Sequence, residues 1–177
     1  MSATLATRPA HMGELPRLTE IELDAFATLA EALGISDAAH ALPHAILQKA
    51  LEAGLLIVAA DGDDHPVGFL AAEEIHDTLY VTELDVSRDW QRRGVGRRLM
   101  SQAVEMARTR RLSALTLTTD RHVPFNAPFY QSIGFQTVDG ANMPRFLRAK
   151  IDDEISNGMD PKRRVAMVLP LGRPTQG

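Results

Sequence analysis

The feature that most constrains this chain is the turn Gln91-Arg92-Arg93-Gly94-Val95-Gly96, because the hydrophobic period changes across it. Before it, Leu79 to Val86 reads as a strand, with Tyr80-Val81-Thr82 strongly β-prone. After it, Val95, Leu99, Ala103 and Met106 recur at i, i+4, i+8 and i+11, and Met100, Val104 and Ala107 widen the stripe into a helix face. A strand therefore feeds a helix through Gly-x-Gly. The first turn of a helix exposes unpaired N–H groups and a partial positive charge, which favour an anion. Gly94 and Gly96 let the backbone turn sharply and approach such a ligand closely, and Arg92, Arg93 and Arg97 can add charge-assisted bonds. Alone, Gly-x-Gly is a weak sign, since glycines turn loops everywhere. Two nucleotide patterns are excluded: no Gly-x-Gly-x-x-Gly follows a first strand with an acid about 20 positions on, and no Gly-Lys-Ser/Thr is present.

Charge narrows the ligand. The net charge of −4 argues against nucleic acid, yet Arg88, Arg92, Arg93, Arg97 and Arg98 crowd one stretch, followed by Arg108, Arg110 and Arg111. A solvated helix face is the ordinary explanation of such a run; the glycines beside it favour a small polyanion. With 45% apolar residues in 177, one compact domain is expected over residues 1–177, with loose tails at about 1–9 and 172–177. The absence of cysteine removes disulfides, thiolate metal sites and a Cys nucleophile together, and no metal is expected. No apolar run nears the roughly 20 residues needed to span a bilayer, and Met1–Arg17 lacks the apolar core of a signal peptide. A cytoplasmic protein with no membrane contact is the expectation.

The remaining pattern is mixed. Thr19 is read as the N-cap of a helix carrying Ile21, Phe26, Leu29 and Leu33 and ending at Gly34; a second helix is expected from Pro43 to Gly54. Leu55–Ala59, Val67–Ala71 and Leu79–Val86 are expected to form an antiparallel meander, with Asp61-Gly62-Asp63-Asp64 as a turn. Ala114–Thr119 reads as a strand, Phe125–Ser132 as a short helix before Gly134, and Phe135–Val138 as a strand. Pro144–Asn157 reads as a helix and Arg164–Leu169 as the last strand. The Pro144–Asn157 helix places basic residues early and acidic ones late, against its dipole. The fold class is α/β of the α+β mixed kind: a mostly antiparallel mixed sheet flanked by helices.

The segment Leu84-Asp85-Val86-Ser87-Arg88-Asp89-Trp90-Gln91-Arg92-Arg93-Gly94-Val95-Gly96-Arg97-Arg98-Leu99 resembles the acetyl-CoA signature of the GNAT superfamily of N-acetyltransferases. Downstream, Phe129-Tyr130-Gln131-Ser132-Ile133-Gly134-Phe135 resembles that family's Tyr-x-x-x-Gly-Phe element, and the order of elements agrees over roughly Ala10 to Leu171. The resemblance implies a twisted sheet splayed after the signature strand at Val86. Pantetheine would add there like a strand along Leu84, Asp85 and Val86, with the diphosphate on Gln91, Arg92, Arg93, Gly94, Val95, Gly96 and Arg97. A β-bulge near Thr82–Asp85 would open that edge. The family often places Asn seven residues before the Tyr and Ala four before it; here Val123 and Asn126 stand there. Asn126 is either a ligand for the thiol end or the N-cap of the Tyr helix.

By the same resemblance the chain is an acetyl-CoA-dependent N-acetyltransferase. It would move the acetyl group directly, in a ternary complex, to a primary amine of a small or amino-acid-like molecule. A protein N-terminal or lysine acetyltransferase and a non-catalytic coenzyme A-binding module are the alternatives. Tyr130 is the candidate acid for the leaving thiolate, against a core-packing role, and Glu83 the candidate base, against a role in bonding backbone or an arginine. Glu73, Glu74, Asp120 and His122 are lesser candidates. The acceptor pocket would use Phe26, Leu29, Leu33, Glu73, Glu74, His76 and the His122–Phe125 loop. A homodimer is an expectation that no named residue carries.

Overall fold

A computed structural model describes residues 5–36 and 43–172. Seven strands form one sheet in the order β1-β2-β3-β4-β5-β7-β6. The chain divides into two compact units: Met1–Glu73 with Val81–Met106, and Glu74–Tyr80 with Ala107–Gly177.

In the first unit, β1 (Ala6–Pro9) pairs antiparallel with β2 (Leu56–Ala60), and β2 with β3 (Pro66–Ile75). The two-residue turn at His76-Asp77 then returns the chain into β4 (Thr78–Val86), so the expected meander is present. The register of β2 against β3 shifts between Ala59 and Ala60. Residues 6–9 are thus a strand, not part of a loose tail. They carry no alternation to announce it; β2 supplies the partner, and Pro9 is tolerated because the strand is at the sheet edge. The remainder of the expected tails, residues 1–4 and 173–177, lies outside the described residues.

The first helix starts earlier than expected. A 3₁₀ turn (Met12–Glu14) runs into α1 (Leu15–Leu33), with Pro16 in its first turn. Thr19 is inside the helix, its Oγ1 donating to Leu15 O at 3.2 Å. Gly34 ends α1 at φ 65°, a left-handed stop. Leu15, Leu18 and Ile21 of α1, with Leu47 and Ala50 of α2 (His44–Glu52), pack on Leu56, Val58, Phe69 and Ala71. A 3₁₀ turn (Arg88–Trp90) and the signature loop lead from β4 to α3 (Val95–Thr109), whose Val95, Leu99, Met100 and Ala103 are buried as the periodicity requires.

In the second unit, β4 begins with a short parallel ladder to β5 (Ala114–Asp120), from Thr78↔Ala114 to Tyr80↔Thr116. This is the crossover that strand, helix and strand imply. β7 (Arg164–Pro170) pairs antiparallel along all of β5, and β6 (Gln136–Val138) pairs with β7. α4 (Ala127–Ser132) precedes Gly134. α5 (Arg145–Ser156) buries Leu147 against Tyr80 and Ala166. Its reversed charge order now has a cause. Glu154 receives Arg164 and Thr118, Lys150 lies 4.7 Å from the centre of the Tyr80 ring, and Arg148 donates to Gly140 O. Specific partners outweigh a dipole term of about 0.3–1 kcal/mol.

Candidate active site

The loop after β4 is shaped as an anion cradle. Arg92 (φ 61°) and Gly94 (φ 81°) both adopt left-handed backbone, with one residue between them. A non-glycine residue at positive φ is uncommon. Alternation of this kind turns successive N–H groups toward one point and makes a nest for an anion. The first helical bond runs from Arg98 N–H to Gly94 O at 3.1 Å, so the N–H groups of Val95, Gly96 and Arg97 stand at the open helix end. A Cβ on Gly94 would meet nothing within 4 Å, which leaves room beside the cradle.

The arginines divide by role. Arg88 is committed to structure: its N–H donates to Asp24 at 2.7 Å and its guanidinium grips both Glu31 oxygens at 2.8 and 2.9 Å. Arg98 donates to Leu5 O at 2.7 Å. Arg92, Arg93 and Arg97 are exposed around the cradle, Arg93 lying over the Trp90 ring at 5.3 Å. Gln91 does not turn its side chain to the cradle. Its Nε2 donates to Val86 O at 2.9 Å and its Oε1 accepts from Thr28 at 3.3 Å, tying the end of β4 to α1. Gly68 of β3 is the other constraint on this strand end: a Cβ there would lie 2.9 Å from Asp85 O and 3.1 Å from Val95 Cγ1. The expected site residues contain no hint of it; a glycine inside a strand is the available signal of close backbone approach.

Leu84, Asp85 and Val86 are half-buried at the end of β4. Glu83 and Asp85, two residues apart, share a face of the strand. Their side chains hydrogen-bond to each other, and Glu22 of α1, only 8% exposed, adds a third acid. Burial first and the Glu22 charge second push the Asp85 carboxyl up to about 7, although the Glu83 bond acts the other way. Sequence reasoning passed over Glu22; its signal was a single acid on a stripe with Leu18, Phe26, Leu29 and Leu33. Beyond Glu22, the expected pocket residues Phe26, Leu29 and Leu33 are half-buried along that stripe.

In the second unit, Tyr130 is 9% exposed and edge-packed on Phe129 and Phe135 at 5.2 and 5.6 Å between centroids. Asn126 occupies the N-cap position of α4, but its side chain makes no capping bond. Asp120 is held for structure. It accepts from the His122 and Val123 N–H groups and from Arg163, and although burial raises its pKa, these bonds bring it below the usual carboxylate range. Glu73 and Glu74 are paired with Lys49 and Arg110 at 3.3 and 2.6 Å, and His122 is exposed. In the β2–β3 turn, Asp61, Asp63 and His65 gather within 4.8 Å, where Asp61 Oδ1 accepts both following N–H groups and shapes the turn. Among the described residues no helix is long and apolar enough to cross a membrane.

Comparison with known proteins agrees with the fold. Ribosomal-protein-S18-alanine N-acetyltransferase from Escherichia coli superposes with a TM-score of 0.71 at 16% identity, covering 98% of both chains. PaiA N-acetyltransferase from Thermoplasma acidophilum, solved with coenzyme A, gives 0.67 at 15% identity, covering 95% of this chain and 99% of that one. N-acetylglutamate synthase from Neisseria gonorrhoeae, complexed with coenzyme A and N-acetyl-glutamate, gives 0.69 at 22% identity. That match covers 98% of this chain but spans only 36% of the synthase. At these identities the likeness is one of fold. The model of the acetyltransferase (GNAT) family matches residues 16–135, which take in α1, the meander, the cradle, α3 and the Tyr130 helix, and the chain belongs to that family.

Proposed function

We propose that the protein is an acetyl-CoA-dependent N-acetyltransferase that transfers the acetyl group directly to the primary amine of a small or amino-acid-like molecule. The observation that carries this reading is the left-handed pair Arg92 and Gly94 at the open end of α3. These N–H groups and the exposed Arg92, Arg93 and Arg97 suit a diphosphate. The side of β4 near Leu84–Val86 suits an extended amide chain, which needs strand N–H and C=O groups. The residues present thus fit an acyl-coenzyme A, which supplies a thioester.

The chain's own groups do the rest. Glu83 accepts the proton of the incoming ammonium, and backbone N–H groups near Val86 polarise the carbonyl oxygen. Tyr130 donates a proton to the departing sulfur, and Asn126, with no capping bond, offers an amide to the thiol end. Holding amine and thioester together supplies much of the rate. The stripe Phe26, Leu29 and Leu33 lines the acceptor's apolar part.

The test is calorimetry with coenzyme A followed by thiol release from acetyl-CoA on a panel of free amino acids, a diamine and a peptide with a free N-terminus. One coenzyme A per chain is expected, with turnover of the small amines. Gly94→Val should weaken affinity at least about tenfold while the protein stays folded, because valine resists positive φ. No binding at millimolar coenzyme A ends the reading.

A further inference from the structure

The Asp85 side chain has work that its place in the signature does not require. It hydrogen-bonds the Glu83 carboxyl, and two carboxyls make such a bond only with a proton between them. Its Oδ2 is buried with no hydrogen-bond partner. The Glu22 charge, from α1, works against the ionised form of Asp85, whereas the Glu83 hydrogen bond, from its own strand, favours it. The neighbouring β3 segment, Val67–Ala72, carries no ionisable side chain, and Gly68 stands beside Asp85.

We propose that the proton acceptor for the amine is the Glu83–Asp85 carboxyl pair, acting as one two-proton unit, and not Glu83 alone. The inference rests on the transferase reading above. The ionised pair takes one proton from R–NH₃⁺, and the freed amine forms the C–N bond at the thioester carbonyl. The C–S bond then breaks, the sulfur gains a proton from Tyr130, and the second nitrogen proton restores the phenol through solvent. The pair finally releases its proton to water, so the products are the amide, the thiol and one H⁺. A lone carboxylate of ordinary basicity takes a proton from an ammonium poorly, whereas a pair that gives up its shared proton only near neutrality is a better acceptor. Burial and the Glu22 charge place Asp85 in that range, at about 7.

The test is kcat/KM against pH for wild type, Asp85→Asn and Glu83→Gln, with the amine that the panel above identifies. Wild-type kcat/KM should rise with pH through about 7, where the pair empties. Asp85→Asn preserves the shape and a hydrogen bond to Glu83 but cannot share a proton. Its rising limb should move down by about two pH units or more, with a plateau about tenfold lower. A structural role for Asp85 would leave the limb in place, so an unmoved limb in folded Asp85→Asn overturns the proposal. Glu83→Gln should lose the limb together with most of the rate; a limb that survives it also counts against the pair. Should Asp85→Asn not fold, carboxyl ¹³C titration of the wild-type protein decides: coupled steps at both residues support the pair, and independent titrations overturn it. Absence of coenzyme A binding and of turnover instead sinks the transferase reading, and the pair's catalytic role falls with it.

Discussion

Two acids, Asp120 of the second unit and Asp85 of the first, are treated in opposite ways. In the second, Arg163 reaches Asp120 at 2.7 and 3.1 Å, and Arg164 reaches the half-buried Glu154 at 2.8 Å through two nitrogens. In the first, burial and then the Glu22 charge push Asp85 up, where Asp120 is brought down. A carboxylate paired with a guanidinium is spent on the fold. Carboxyls gathered with each other raise the free energy of their ionised forms, and that arrangement suits groups that must accept a proton. The lesson is that burial of an acid says little until its partners are known.

The sharpest way to break this comparison is to neutralise one acid in each unit. Glu83→Gln should lower kcat by about 10²–10³-fold with unchanged folding, while Glu154→Gln should keep kcat and lose thermal stability. Equal effects of both changes on rate would erase the distinction. Tyr130→Phe should lower kcat by about a hundredfold at nearly unchanged acetyl-CoA affinity, since the ring still packs on Phe129 and Phe135. Unaltered kcat would make Tyr130 a packing residue.

Arg163→Ala should cost about 2 kcal/mol in urea unfolding at pH 7, by leaving the buried Asp120 charge with only two N–H partners. Because the folded-state pKa of Asp120 is lowered, its contribution is present above the unfolded pKa of about 3.9 and is lost as pH falls through the folded value. The difference between Arg163→Ala and wild type should therefore shrink in acid. Asp85 has the reverse sign. Its folded pKa is raised, so wild-type stability declines as pH rises from about 3.9, the unfolded value, to about 7. Asp85→Asn should be more stable than wild type by about 1 kcal/mol at pH 8 and by little at pH 4, read as urea midpoints. A pH-independent difference would mean that the buried acids of the two units do not differ in the way described.

Much of this was legible in the chain itself. The change from period 2 to period 3.6 at Gly94 located β4, the cradle and α3, because local periodicity and glycine conformation are properties of a short segment. The same locality made Gly34, Gly54 and Gly134 reliable stops, each at positive φ. Where a segment's state depended on a distant partner, the reading ran short. Ala6–Pro9 is a strand only because β2 is there to pair with it, and α1 begins at Leu15 because Pro16 starts a helix that Leu15 and Leu18 anchor in the core.

The sequence by itself determined the family and the strand–loop–helix order around Gln91–Arg97, because these residues lie in one continuous stretch. Only the tertiary structure decided what each charge is for. It assigned Arg88 to Glu31, Gln91 to Val86 and Thr28, and Asp120 to Arg163, and it set Glu22 beside Asp85 across 63 positions of chain. The pKa of a carboxyl depends on how much water it has lost and on which charges stand within a few ångströms. Neither quantity belongs to a residue until α1 has packed against β4.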